Sequence, residues 1–258
     1  MTGLAWHGRA SVAACLAWFA LSQAHATGCL FAAQGEGRVT AVIDARSFRL
    51  GDNSEIRLAG IEPVNADRAK DTSALAAIVS GHDVTLHGEE DTPDRYGRQT
   101  AFAFVAGSEI SVQTELLRRG EALFAADIAD KECAGTLAAA EAEARQAKIG
   151  IWSTPAAIKN TESPGDILAG IGRFTVVEGR VLSVRQAGSV TYLNFGRNWT
   201  QDFAATISRR MIPAFETAGL SPKSLENKRI RVRGFVASRG GTRIEVLRVG
   251  QIEVLGGK

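Results

Sequence analysis

The sequence predicts a mainly β, α+β protein built from two five-stranded barrels in tandem. Its 258 residues are enough for two ordinary domains, and 45% apolar with 22% charged residues describes a globular chain. The third observation is an order of elements, three strands, a helix and two strands, that recurs in each half. Between the halves a helical pattern ends at Ile151 and Trp152 and gives way to Pro155, Ser163, Pro164 and Gly165, a composition that suits a linker. The domains are expected at 27–153 and 169–258, with the linker over 154–168.

In the first domain, residues 37–44, 47–50 and 55–61 alternate or run apolar in strand fashion, with Gly51, Asp52 and Asn53 as a hairpin turn. A helix over 67–79 places Ala74, Leu75, Ile78 and Val79 on one side, and strands at 84–87 and 100–105 follow. That order fits a small barrel of the oligonucleotide-binding (OB) type. Two more helices, over 111–119 and roughly 135–148, complete the domain. The second domain has strands at 175–185, 190–195 and 202–207, a helix over 209–218, then strands at 228–237 and 242–249. Gly240 and Gly241 supply the positive backbone angles that its last hairpin demands.

The first 26 residues read as an export signal: His7 and Arg9 precede an apolar run from Ala10 to Leu21, and Ala24, His25 and Ala26 form a small-x-small cleavage pattern. The run is too short to span a membrane as a mature helix, so a periplasmic or secreted protein cut near Ala26 is expected, with no membrane span. Cys29 and Cys133 would then meet an oxidising compartment and pair as a disulfide. The competing role for Cys29 is acylation as a lipoprotein anchor, for which Ala26 is a poor match and which would orphan Cys133.

The net charge of +2 hides a division: residues 27–164 carry 14 Lys and Arg against 21 Asp and Glu, residues 165–258 carry 15 against 7. Basic protein attracts nucleic acid by neutralising phosphates. A polyanion partner is therefore expected on the C-terminal domain.

Several separate motifs follow in order through the first domain: Arg57 and Leu58 to Ile61; Asp94, Arg95, Tyr96, Gly97 and Arg98; Glu115 to Gly120; and Ala142 to Arg145 with Gly150, Ile151 and Trp152. Over about residues 36–153 they make the chain resemble the staphylococcal nuclease (thermonuclease) family. The resemblance implies a barrel with three helices and a calcium-dependent phosphodiesterase acting on DNA and RNA, with two arginines on the phosphate, a glutamate beside the attacking water and aspartates on the metal. Arg57 and Arg98 fall at the arginine positions, where planar guanidiniums suit phosphate oxygens.

The metal side departs from the family. Where its motif reads Asp-Gly-Asp-Thr, this chain has Asp44, Ala45, Arg46 and Ser47; Glu62 keeps a carboxylate in the next motif, and Asn65 stands where the general-base glutamate belongs. No resident metal is expected, with Asp44 and Glu62 as residual carboxylates and ligand positions lost at Arg46 and Asn65. Arg46 either stands in for the cation, pairing with Asp44 and Glu62, or joins Arg57 and Arg98 as a third phosphate-binding guanidinium; alternatively Arg57 and Arg98 are surface ion pairs with Asp91, Asp94 or Glu62.

On the second barrel Arg229, Arg231 and Arg233 alternate with Ile230 and Val232, so three guanidiniums share a strand face. With Arg197 and Trp199 they form the expected nucleic-acid-binding set, since such barrels hold single strands on basic strips with aromatic platforms. The alternative pairs these arginines with Glu245 and Glu253 and places Tyr192 and Phe195 in the core. The function expected is binding of nucleic acid or another polyanion without efficient cleavage, by an exported pseudoenzyme. The alternatives are a secreted, calcium-using DNA/RNA endonuclease acting through Arg57, Arg98 and Glu62, and a structural envelope interaction module.

Overall fold

The computed structural model describes residues 29, 31–63, 68–89, 92–198 and 200–256. The export signal expected over 1–26, Asn65, Asp91 and Trp199 lie outside the described residues.

The first strand, β1 (Ala32–Asp44), is longer than expected because it serves two neighbours. Its first half pairs with β5 (Asp83–Gly88) and its second with β2 (Ser47–Leu50). β3 (Glu55–Leu58) pairs with β2 and runs parallel to β6 (Arg98–Val105), which returns to β5. The five strands close on themselves as a barrel in the order β1-β2-β3-β6-β5. Phe48, Ile56, Leu58 and Leu86 fill it, all but excluded from solvent, while Phe102 is buried on the outer face of β6 against Phe31; each such side chain contributes roughly 1.5–3 kcal/mol.

A short strand, β4 (Ile61–Pro63), leaves the barrel and pairs with β7 (Ala122–Phe124). Around the barrel lie α1 (Arg68–Val79), α2 (Val112–Arg118) and α3 (Lys131–Ala147). Ser111 caps α2 by accepting the Thr114 N–H, and Asp130 caps α3 by accepting the Cys133 N–H at 2.7 Å. That cap starts α3 four residues before the 135 expected from periodicity. Gly120 and Gly150, in two of those motifs, close the helix ends against each other: a Cβ on either would meet the other segment's backbone at 2.4 Å. Cys29 and Cys133 form a disulfide, which ties the start of the described chain to α3 across 104 residues.

The expected linker is not bare coil. It holds β8 (Ile158–Asn160) and α4 (Pro164–Leu168), and β8 runs parallel to β9 (Phe174–Arg180). Three residues such as Ile158, Lys159 and Asn160 are too few for a periodic signal, which is why composition alone suggested a loop. The strand expected over 175–185 divides at Val181 into β9 and β10 (Ser183–Ala187). β11 (Val190–Asn194), β12 (Ala204–Ser208), α5 (Ile212–Thr217), β13 (Arg229–Ser238), β14 (Thr242–Val246) and β15 (Ile252–Leu255) follow.

These strands form an eight-stranded sheet in the order β10-β11-β12-β14-β13-β9-β8, with β15 pairing β13. The five-stranded set expected here is therefore enlarged by β8 and β15. Overall the protein is α+β, mostly strands with five α-helices among the described residues, none of them long and apolar enough to cross a membrane.

The two units are packed together. Leu123, Ala144 and Trp152 of the first bury against Val176 of the second. Beside them the Glu141 carboxylate, 1% exposed, accepts Arg233 Nη1 at 2.9 and 3.1 Å and the Phe124 N–H at 2.9 Å, while Arg233 also donates to the Phe124 carbonyl at 2.8 Å. Removing one partner of a buried pair strands the other's charge, so Arg233→Met is expected to cost about 3–5 kcal/mol in urea denaturation. Adding Glu141→Leu should recover part of that loss, and an unchanged single variant would show that the pair holds nothing. For the disulfide, thiol titration of the unfolded chain from residue 27 onward is expected to find no free thiol, and Cys133→Ser to destabilise by about 2–5 kcal/mol.

Candidate functional site

The turn from β1 to β2 is set by Asp44, whose Oδ1 accepts the Arg46 N–H at 2.9 Å. The turn aims the Arg46 side chain at β4. Its Nη1 donates to Glu62 Oε1 at 2.5 Å and to the Ile61 carbonyl at 2.9 Å, and both side chains are largely covered. Of the arrangements open to Arg46, the structure thus joins it to Glu62, with Asp44 engaged through the backbone. Burial pushes the Glu62 carboxyl above its ordinary range; Arg46 opposes this, while Asp127 and Asp44 add to it. Among the described residues no three His, Cys, Asp or Glu side chains group as metal donors. Glu62 also faces a cleft of about 400 Å³ between the units, shared with Leu123, Lys159, Arg173, Phe174 and Phe235.

Arg57 and Arg98 lie near this turn on adjacent strands. In register Arg57 faces Ser47 on β2 and Thr100 on β6, and Arg98 precedes Thr100 by two, so both arginines share the outer face of the barrel. No ion pair of Arg57 falls among the described residues. Arg98 is engaged: Nε and Nη2 donate to Asp94 Oδ2 at 3.0 and 2.7 Å. Asp94 Oδ1 accepts the Tyr96 and Arg98 N–H groups at 2.8 and 3.1 Å, which folds the loop on itself. The guanidiniums of Arg95 and Arg98 lie over the ring of exposed Tyr96, 4.7 and 5.0 Å from its centre.

The second unit corrects the expected binding face. Arg231 and Arg233 are 7% and 4% exposed. Arg231 donates to Glu178 from Nε and Nη2 at 2.9 and 2.6 Å and to Glu253 from Nη1 at 2.6 Å; Arg233 holds Glu141. Burial works against the Arg231 charge, and the bonds and charges of Glu178 and Glu253 outweigh it, so the guanidinium stays charged. Neither can reach a phosphate. Arg229 is exposed but also leans on Glu178, at 3.3 Å. The acidic partners are Glu178 and Glu253 where Glu245 and Glu253 were expected, and Phe195 packs on Phe203 in the core.

Arg197 has a different setting. It borders a groove of about 840 Å³ with Arg185, Arg239, Arg243, Tyr192 and Asn194. Arg185, Arg239 and Arg243 escape a local reading because they come from β10, the last hairpin and β14. Only the charge excess of residues 165–258 signalled them.

The loop chemistry at Asp94 has a pH signature. The Arg98 hydrogen bonds hold its carboxyl below the ordinary value of 3.8, against some desolvation, and the two N–H bonds assist. Its stabilising contribution is therefore full above 3.8 and lost as pH falls through the lower folded value. The stability difference between wild type and Asp94→Asn, measured by urea denaturation across pH, is expected to shrink on acidification below 3.8; a constant difference would rule the contribution out.

Comparison with known proteins agrees with the motifs. No curated protein matches the chain. Residues 56–154, from the start of β3 through the Asp94–Arg98 loop, α2 and α3 to Trp152, match the staphylococcal nuclease homologue family. This part of the chain is a staphylococcal nuclease-like segment.

Proposed function

We propose that this is an exported, nuclease-like protein that binds nucleic acid or another polyanion without cleaving it efficiently. The observation that carries the reading is the Arg46–Glu62 bond, in which a guanidinium occupies the carboxylate left at the metal side of the family site. Calcium takes six to eight oxygens, several of them anionic. The residues present do not fit it: the carboxylates of Asp44 and Glu62 are bonded to the backbone and side chain of Arg46. Exchanging a carboxylate for a guanidinium shifts the local charge by two units, which for a divalent ion ~5 Å away is on the order of 3 kcal/mol even at the dielectric of water.

Family membership of the segment supports nucleic acid as the polyanion. For the second unit we read an OB-like arrangement: β11, β12, β14, β13 and the β9–β10 strand follow the cyclic order of the first barrel, with α5 placed after the third strand as α1 is in the first. Export is supported by the signal pattern over 1–26 and by the Cys29–Cys133 disulfide, which persists in oxidising compartments.

A second reading, hydrolysis of DNA or RNA, is favoured by Arg57 and Arg98 standing on one face at the family positions. Incubation of the mature protein with single-stranded DNA and RNA, in calcium, manganese or chelator, separates the two. Binding that weakens with salt and no cleavage above that of Arg57→Ala is expected; metal-dependent cleavage abolished by Arg57→Ala would overturn the proposal.

A further inference from the structure

We infer that the groove bounded by Arg185, Arg197, Arg239 and Arg243 seats the phosphate backbone of a single-stranded nucleic acid, with Tyr192 as the platform for a base. The inference rests on the binding function proposed above and gives it a place.

Strand pairing builds the groove floor. Arg185 on β10 sits opposite Tyr192 on β11, and Ser183 opposite Asn194. Asn194 faces Ala204 on β12, which in turn neighbours Arg243 on β14. These side chains therefore share one sheet face, with Arg185 and Arg243 toward opposite edges. Arg197, in the loop after β11, and Arg239, in the hairpin between β13 and β14, stand on the rim. Arg185, Arg197 and Arg239 are exposed and Arg243 half-buried.

The contrast with Arg229, Arg231 and Arg233 gives the four arginines their meaning. Each of those three has a glutamate. None of the groove four enters an ion pair with a described residue. Glu245 lies on the same face, in the cross-strand row of Arg185, Tyr192 and Thr206 but two strands beyond Tyr192, and it neither lines the groove nor pairs with any of the four. Four uncompensated guanidiniums around a concave floor call for an anion that presents several charges in a line. An aromatic ring on that floor adds a preference for flat groups between the charges, which a single strand supplies with its unpaired bases. A duplex keeps its bases stacked inside and would leave Tyr192 without a partner.

The test uses the full mature chain and fluorescein-labelled dT20 and rU20 oligonucleotides in anisotropy titrations over a range of salt. Four phosphate contacts to a single strand predict a slope of log K against log salt of about −2.8, and each arginine exchanged for glutamine should reduce it by about 0.7. Tyr192→Ala should weaken binding about 5- to 150-fold with little change in slope. Arg210→Gln removes the same charge from an exposed position outside the groove and should leave the affinity within about twofold. A quadruple Arg185→Gln, Arg197→Gln, Arg239→Gln, Arg243→Gln variant that keeps the wild-type circular dichroism and still binds dT20 as tightly would overturn the groove while leaving the binding function standing. Binding of heparin oligosaccharide, or of a 20-base-pair duplex, in preference to both oligonucleotides would also overturn it. If neither oligonucleotide binds at low salt, groove and nucleic-acid function fall together.

Discussion

The buried contact between Glu141 and Arg233 determines how the rest of the molecule can be arranged. Two charges withdrawn from water cost several kcal/mol each unless attraction and hydrogen bonds offset the loss, so their partners must be held firmly. Here those partners include both backbone groups of Phe124: its N–H goes to Glu141 and its carbonyl to Arg233. Phe124 pairs in register with Ile61, and Leu123 with Glu62. Ile61 and Glu62 are the two residues that receive the Arg46 guanidinium. An arginine of the second unit thus helps fix the strand on which the site of the first unit is built, and the two units cannot be treated as beads on a string.

That connection bears on the chemistry. A divalent cation and a guanidinium both neutralise carboxylates, but only the cation has open positions for a water and a phosphate oxygen. Arg46 spends its Nη1 on Glu62 and the Ile61 carbonyl, in a largely covered position. On the proposed reading the barrel mouth keeps its shape because a fixed positive charge remains, while the means of activating a water goes. Asp94 does something similar for Arg98, engaging the guanidinium within its own loop, and leaves Arg57 as the family arginine with no ion pair to a described residue.

What was legible in the sequence follows the range of the interactions. Strand order in the first barrel came from local alternation and turn residues, and the Cys29–Cys133 pairing from the shortage of other cysteines. Arg231 and Arg233 were misread because alternation with Ile230 and Val232 shows only that they share a face. What covers that face lies 53 and 92 residues away, in Glu178 and Glu141. β8 was hidden because three residues owe their strand conformation to β9 rather than to themselves. The Arg46–Glu62 pair was legible as an alternative and no more, since sequence shows the loss of a carboxylate but not where its replacement points.

The same distinction locates the positive charge of the second unit. Its 15 basic residues against 7 acidic ones look in sequence like a diffuse surplus. In the fold, Glu178 and Glu253 are gathered on β13's arginines, which turns part of that basic charge into structure at the junction. Concentrating acid there leaves other positions without it. The groove over β10 and β11 is such a position, drawing Arg185, Arg197, Arg239 and Arg243 together by strand pairing rather than by sequence proximity. One residue type therefore does two jobs in this unit, and the placement of a few glutamates decides which arginine does which.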